Sequence, residues 1–144
     1  MPAMKTSSVN GKHVLFADDE LHYIQALIEV TRAEGCIVTT CRDASAAITQ
    51  VCESHIDCLI IDIMMDPGPL LPDADPQFAG ITAINQILKK KPDQSIICHS
   101  VVSDQRIIND LKKRKVLFLR KAETSLEKAW QTIEAKITGV YHGR

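Results

Sequence analysis

Five short apolar runs alternate along the chain with segments whose apolar residues recur at helical spacing, and this alternation constrains the fold most strongly. The runs begin near residues 13, 36, 57, 95 and 116, and a helical pattern follows each of them. Strands that alternate with helices form a parallel sheet covered by helices on both faces. We therefore predict an α/β fold, a doubly wound sheet of five parallel strands with five helices.

The boundaries of these elements follow from turn and capping residues. Asp43 is suited to cap the second helix, Ser103 or Asp104 the fourth, and Gly139 to end the fifth. The predicted strands are 13–17, 36–40, 57–62, 95–99 and 116–119, and the predicted helices are 21–34, 43–52, 80–90, 104–111 and 123–137. One domain is expected over residues 13–138, between a flexible N-terminal tail (1–12) and a C-terminal tail (139–144).

One connection departs from this regular plan. Residues 64–79, between the third strand and the third helix, contain four prolines and exceed the usual length of about 2–6 residues for such loops. We predict an extended loop here, either an insertion with a purpose or a mobile segment.

Composition excludes several classes of function. The net charge of −1 provides no overall attraction to nucleic acid or membranes, and no apolar run is long enough for a signal peptide or a membrane span. The five cysteines form no CxxC pair, and each lies in a predicted strand or helix or, for Cys41, directly after a predicted strand, which favours structural thiols. We expect a cytoplasmic protein that binds neither nucleic acid nor membrane directly.

Chemically active side chains follow four of the five strands. Because the carboxyl ends of parallel strands share one edge of a sheet, these residues are expected to converge. Carboxylates brought close together repel one another unless a cation lies among them. Oxygen ligands of this kind favour Mg²⁺. A lysine and a hydroxyl in the same place suit an incoming phosphoryl group. The residues are Asp18, Asp19, Asp62, Ser100 and Lys121.

In these features the chain resembles the receiver domain of two-component response regulators, which has a flavodoxin-like fold. The resemblance covers about residues 13–137 and is carried by four pieces at strand ends, in the family's order. They are VLFADDE at 14–20, LIIDIMM at 59–65, ICHS at 97–100 and FLRK at 118–121. Together they imply a Mg²⁺-dependent phosphoacceptor that acts as a conformational switch in a phosphorelay, and not an enzyme beyond slow self-dephosphorylation.

The resemblance also implies a role for each residue. Asp62 would accept the phosphoryl group from a histidine kinase or a histidine phosphotransfer protein. Asp19 would bind Mg²⁺ directly, Asp18 largely through water, and the backbone carbonyl of Met64 would be a further ligand. Lys121 would pair with the phosphoryl oxygens. The switch would consist of Ser100, which bonds to the phosphoryl group, and Phe118, which then turns inward and alters the surface presented to a downstream protein or a fused output domain.

Two features depart from the family pattern. Ala122 occupies the place after the lysine where the family usually has proline, often after a cis bond. A cis bond before a residue other than proline costs about 2.5–4 kcal/mol, so we predict a trans bond here and an altered loop before the last helix. The long loop after Asp62 is the second departure, and its acids at 66, 73 and 75 are placed to repel or gate phosphoryl donors.

Two other functions stay open on the sequence alone. One is a receiver-like interaction module that is not phosphorylated. The other is a small phosphohydrolase that passes through an aspartyl phosphate, for which Asp66 is the available second acid.

Overall fold

The computed structural model describes residues 8–102 and 104–139, which form one sheet of five parallel strands. The strands are β1 (His13–Ala17), β2 (Ile37–Cys41), β3 (Cys58–Ile61), β4 (Ile96–Ser100) and β5 (Leu117–Arg120), in the spatial order β2-β1-β3-β4-β5. The helices are α1 (Gln25–Ala33), α2 (Ala44–Glu53), α3 (Ala79–Lys90), α4 (Gln105–Lys113) and α5 (Leu126–Thr138), with short 3₁₀ turns at Leu21–Ile24 and Pro76–Phe78. The predicted fold class is confirmed.

Side chains alternate along the strands between two apolar cores. Leu15, Leu59 and Cys98 face the α2–α4 core, which the second, third and fourth helices cover. Phe16 and Ile60 face the α1–α5 core, which also contains Trp130 of α5. Both faces are buried, which explains why the central strands are apolar without alternation.

Several boundaries differ from the predicted ones for local reasons. The first helical segment begins as a 3₁₀ turn, and α5 begins at Leu126 because the amides of Glu123 and Thr124 turn back to the carbonyl of Arg120. Ser125, whose side chain accepts the Lys128 N–H, is the N-cap. Asp43 caps α2 as predicted and Asp104 caps α4, while Ser103, the alternative cap, lies outside the described residues.

The proposed N-terminal tail is too long by several residues. Val9 is fully buried in the α1–α5 core, and the Gly11 N–H donates to the carbonyl of Gly35 at 2.8 Å. Residues 8–12 therefore pack on the domain; residues 1–7, and 140–144 of the C-terminal tail, lie outside the described part of the chain.

The cysteines are free, and four of the five are buried, as expected of structural thiols. Burial raises the pKa of Cys36 to about 11 and that of Cys41 to about 12, so both remain protonated and unreactive near neutral pH. Among the described residues, no helix has the length and apolarity needed to cross a bilayer.

Residues 64–78, which we call the strap, form the long connection after β3. Met65 and Leu71 are buried in the α2–α4 core, and the Met65 N–H donates to the carbonyl of Pro76 at 3.1 Å. The strap is thus tied to the domain by both packing and hydrogen bonds.

Candidate functional site

Asp62 follows the last residue of β3 and is 6% exposed. Its Oδ1 accepts the N–H of Ile63 at 2.7 Å, and its own N–H donates to the carbonyl of Ala17 in β1. Helix α3 begins directly against this segment, because the Gly80 N–H donates to the carbonyl of Ile63 at 2.9 Å. These bonds hold the carboxylate at the carboxyl edge of the sheet, where the sequence predicts it.

Asp18 and Asp19 lie beside it at the end of β1. Asp18 is buried, and its Oδ1 accepts the N–H of Glu20 at 2.9 Å. Asp19 is exposed, yet its pKa is raised, first by partial burial and then by the negative charges of Asp18 and Asp62. Proton uptake by Asp19 therefore relieves repulsion within the group.

Lys121 joins the two buried carboxylates. Its Nζ lies 2.6 Å from Oδ2 of Asp18 and 2.7 Å from Oδ2 of Asp62. Burial acts to lower the pKa of Lys121, but the hydrogen bonds to both carboxylates outweigh it and raise the pKa above its ordinary value. The described residues contain no cis peptide bond, so the bond before Ala122 is trans as predicted. Lys121 reaches both carboxylates with this trans bond after it.

The three acids fit a divalent metal ion. One oxygen from each of Asp18, Asp19 and Asp62 lies within 4.8 Å of the other two. Three carboxylates offer only oxygen, the ligand that Mg²⁺ prefers. Lys121 offsets part of their charge through its ion pairs with Asp18 and Asp62.

Ser100 and Phe118, the predicted switch residues, have partners outside the group of acids. Ser100 is the last residue of β4 and is fully buried, and its Oγ accepts the N–H of Val102 at 3.2 Å. Phe118 packs against the α2–α4 core, with the guanidinium of Arg120 5.9 Å from the centre of its ring. Phe118 also lines a groove of about 600 Å³ between α4 and α5.

A cavity of about 910 Å³ opens above the acids, within the size range of ligand sites. Met64, which is 46% exposed, and other residues at both ends of the strap form part of its wall. Tyr23 and Val101, both largely exposed, contribute apolar surface from other loops. Asp66 also borders the cavity, with its Oδ1 accepting the N–H of Gly68.

His99 is a neighbour of the site that the sequence analysis does not identify. It lies one position beyond the Ile61–Cys98 pair in the register of β3 and β4, and so beside Asp62. It is 7% exposed, and its Nδ1 has no hydrogen-bond partner among the described residues. Burial, followed by the charge of Lys121, lowers the pKa of His99, so its ring is neutral near pH 7. Its place before Ser100 at a strand end is the signal that could have identified it.

The strand order, the acids at the carboxyl edge of the sheet and the lysine that follows β5 are the features expected of the receiver class of signalling domains. The family model of the response regulator receiver domain matches residues 14–131. The chain belongs to this family, whose members are in general phosphorylatable and bind Mg²⁺ at such an acidic pocket. A search among curated proteins finds no match.

Solved structures of receiver domains share the fold. The CheY-like receiver domain protein from Methanospirillum hungatei JF-1 is 14% identical, with a TM-score of 0.75 over 90% of this chain and 96% of that chain. The receiver domain of the Francisella response regulator 1452 is 20% identical, with a TM-score of 0.73 over 90% and 98%. The receiver domain of a putative Luxo repressor protein from Vibrio parahaemolyticus is 15% identical, with a TM-score of 0.75 over 90% and 92%.

Proposed function

We propose that this chain is a phosphorylatable receiver that accepts a phosphoryl group on Asp62 from a histidine kinase or histidine phosphotransfer protein. The observation that carries the proposal is the placement of Lys121, within 2.7 Å of both buried carboxylates at the floor of an open cavity. A cation in this position offsets the charge that otherwise repels a phosphate.

In the proposed transfer, a carboxylate oxygen of Asp62 attacks the phosphorus of the phosphohistidine. The new O–P bond makes an acyl phosphate as the P–N bond breaks, and the imidazole nitrogen leaves with the electron pair and takes up a proton. Lys121 is placed to turn from the free carboxylate toward the phosphoryl oxygens. Asp18, Asp19, Asp62 and the carbonyl of Met64 would hold Mg²⁺, which when bound neutralises phosphoryl and carboxylate charge.

The proposed response begins with Ser100 and Phe118. The Ser100 hydroxyl, now bonded to Val102, would exchange that partner for a phosphoryl oxygen. Phe118 borders both the α2–α4 core and the groove between α4 and α5, so a shift of its ring changes the surface of that groove. A downstream protein or a fused output domain would read this change.

We propose that this site is a phosphoacceptor and not the active site of an enzyme. A phosphohydrolase needs a second acid for proton transfer, and the available candidate, Asp66, is an exposed side chain already bonded to the N–H of Gly68. Sustained turnover of a phosphomonoester by the purified protein would contradict this part of the proposal.

Incubation with acetyl phosphate and Mg²⁺, followed by intact-mass measurement, tests the acceptor. We expect one added phosphoryl group on the wild type and none on Asp62→Asn. The matched control is Asp57→Asn, because Asp57 is a partly buried carboxylate whose Oδ2 accepts the N–H of His13 near the start of β1. This control should be labelled normally. An unlabelled wild type, or full labelling of Asp62→Asn, would refute the proposal.

A further inference from the structure

The hydroxyl of Ser45 fastens the strap to the start of α2. Its Oγ donates to the carbonyl of Pro67 at 2.6 Å and accepts the N–H of Leu70 at 2.9 Å. The side chain is almost fully buried. One short side chain thus contacts two strap residues that are three positions apart. Serine is common in the first turn of a helix, so its presence there does not by itself indicate this contact.

The backbone around the hydroxyl closes the same contact. The amides of Ala44 and Ser45 donate to the carbonyls of Asp66 and Pro67 at 2.9 and 3.0 Å. Gly68 adopts φ +75° and lies close to this contact. Only glycine fits there, because a Cβ on residue 68 would lie 2.7 Å from the Ser45 side chain. The first amides of a helix have no partner within the helix, and here the strap provides acceptors for two of them.

These contacts restrict the strap close to the candidate site. On one side of Met64, the carbonyl of Ile63 accepts the N–H of Gly80 at 2.9 Å. On the other side, Met65 is buried and bonded to Pro76, and the contacts with α2 begin at the next residue. The peptide that contains the Met64 carbonyl is therefore enclosed between fixed points, although the Met64 side chain is half exposed.

We propose that Ser45 is a positioning residue for the metal site. By holding residues 66–70 of the strap against α2, it keeps the Met64 backbone in the place required of a metal ligand. The identity of that ligand rests on the proposed function given above. Ser45 touches neither metal nor phosphate in this scheme, and it acts through the strap alone.

The first measurement is hydrogen exchange in the full chain without metal. In Ser45→Ala the Leu70 amide loses its acceptor, and we expect its exchange to accelerate about five- to tenfold, as for loss of one hydrogen bond. Alanine is a better helix former than serine, so α2 itself should not weaken. Gly68→Ala, which crowds the same contact from the strap side, should have the same effect.

The second measurement is the dissociation constant for Mg²⁺ by calorimetry. We expect an increase on the order of tenfold in both variants, the lower end of what loss of outer-shell support costs a metal site. Phosphorylation by acetyl phosphate should slow at low Mg²⁺ and return close to the wild-type rate at saturation. Thr31→Val is the matched control, because it removes a buried hydroxyl that donates to Leu27 within α1, at 2.7 Å.

The outcomes separate this inference from the proposal on which it rests. Faster exchange at Leu70 with an unchanged Mg²⁺ affinity would overturn the inference alone, as would an equal loss of affinity in Thr31→Val. A slow rate that persists at saturating Mg²⁺ would also overturn it. Wild-type protein that neither binds Mg²⁺ nor is phosphorylated would refute the proposed function itself, and the inference with it.

Discussion

Replacement of Gly80 by alanine sets two physical effects against each other. Gly80 lies in the first turn of α3, where helix propensity alone predicts that alanine stabilises the protein by about 1 kcal/mol. The added methyl group, however, would lie 2.8 Å from the Cα of Ile63 and 2.9 Å from the carbonyl carbon of Asp62, and closer still to the carbonyl oxygen of Asp62. All three atoms are backbone, so no side-chain rotation relieves the contact.

The steric effect should dominate. Overpacking of a well-packed interior costs about 1–3 kcal/mol, and more where backbone must move, so we expect a net loss of about 3 kcal/mol. For a domain of this size that loss corresponds to a fall of roughly 10 °C in the unfolding midpoint. Because the displaced atoms belong to Asp62 and its neighbour, phosphorylation of Asp62 should also slow in the protein that remains folded.

Thermal and urea unfolding, with acetyl phosphate labelling of the folded protein, provide the assay. Gly139→Ala is the control, since Gly139 has φ +73° but open space around its Cβ position. It should lose about 1 kcal/mol from backbone strain and keep its labelling rate. If Gly80→Ala were as stable as the wild type, the close approach of α3 to Asp62 would be wrong.

Two further substitutions test the electrostatics of the site. Lys121→Met removes the ammonium between Asp18 and Asp62, and we expect the metal-free protein to lose about 3–5 kcal/mol of unfolding free energy, as for a broken buried ion pair. Urea titrations with and without Mg²⁺ should show a larger gain from the metal than in the wild type, and equal gains would count against the arrangement. His99→Leu removes a buried unpaired nitrogen and should add about 1–3 kcal/mol. Because the folded state lowers the pKa of His99, the unfolded state takes up that proton first as pH falls below about 6.5, and wild-type stability declines there. A pH series of unfolding midpoints should show a shallower decline in His99→Leu, and parallel curves would contradict the assignment.

The order of elements and the convergence of the acids could be predicted from the sequence because each depends on local pattern and chain direction. Asp62 ends an apolar run, and parallel strands bring such ends to one edge. The start of α5 could not be predicted in this way. Glu123 and Thr124 form a turn onto the carbonyl of Arg120, and the position of that carbonyl depends on where β5 ends.

The remaining features depend on contacts between distant segments. The Ser45 hydroxyl binds residues more than twenty positions away along the chain, and no periodicity or spacing indicates that contact. Likewise, His99 is one of five histidines, and only the register of β4 against β3 places it beside Asp62.

The alternation of side chains along the strands has a consequence for how a signal would travel. Asp62 lies two residues after Ile60, and Lys121 two residues after Leu119. Because side chains two residues apart face the same side of a sheet, Asp62 and Lys121 both belong to the α1–α5 side. Phe118, and Cys98 two residues before Ser100, face the α2–α4 core on the opposite side. The proposed signal must therefore cross from one side of the sheet to the other at its carboxyl edge, where the Lys121 amide already donates to the Ser100 carbonyl at 2.9 Å.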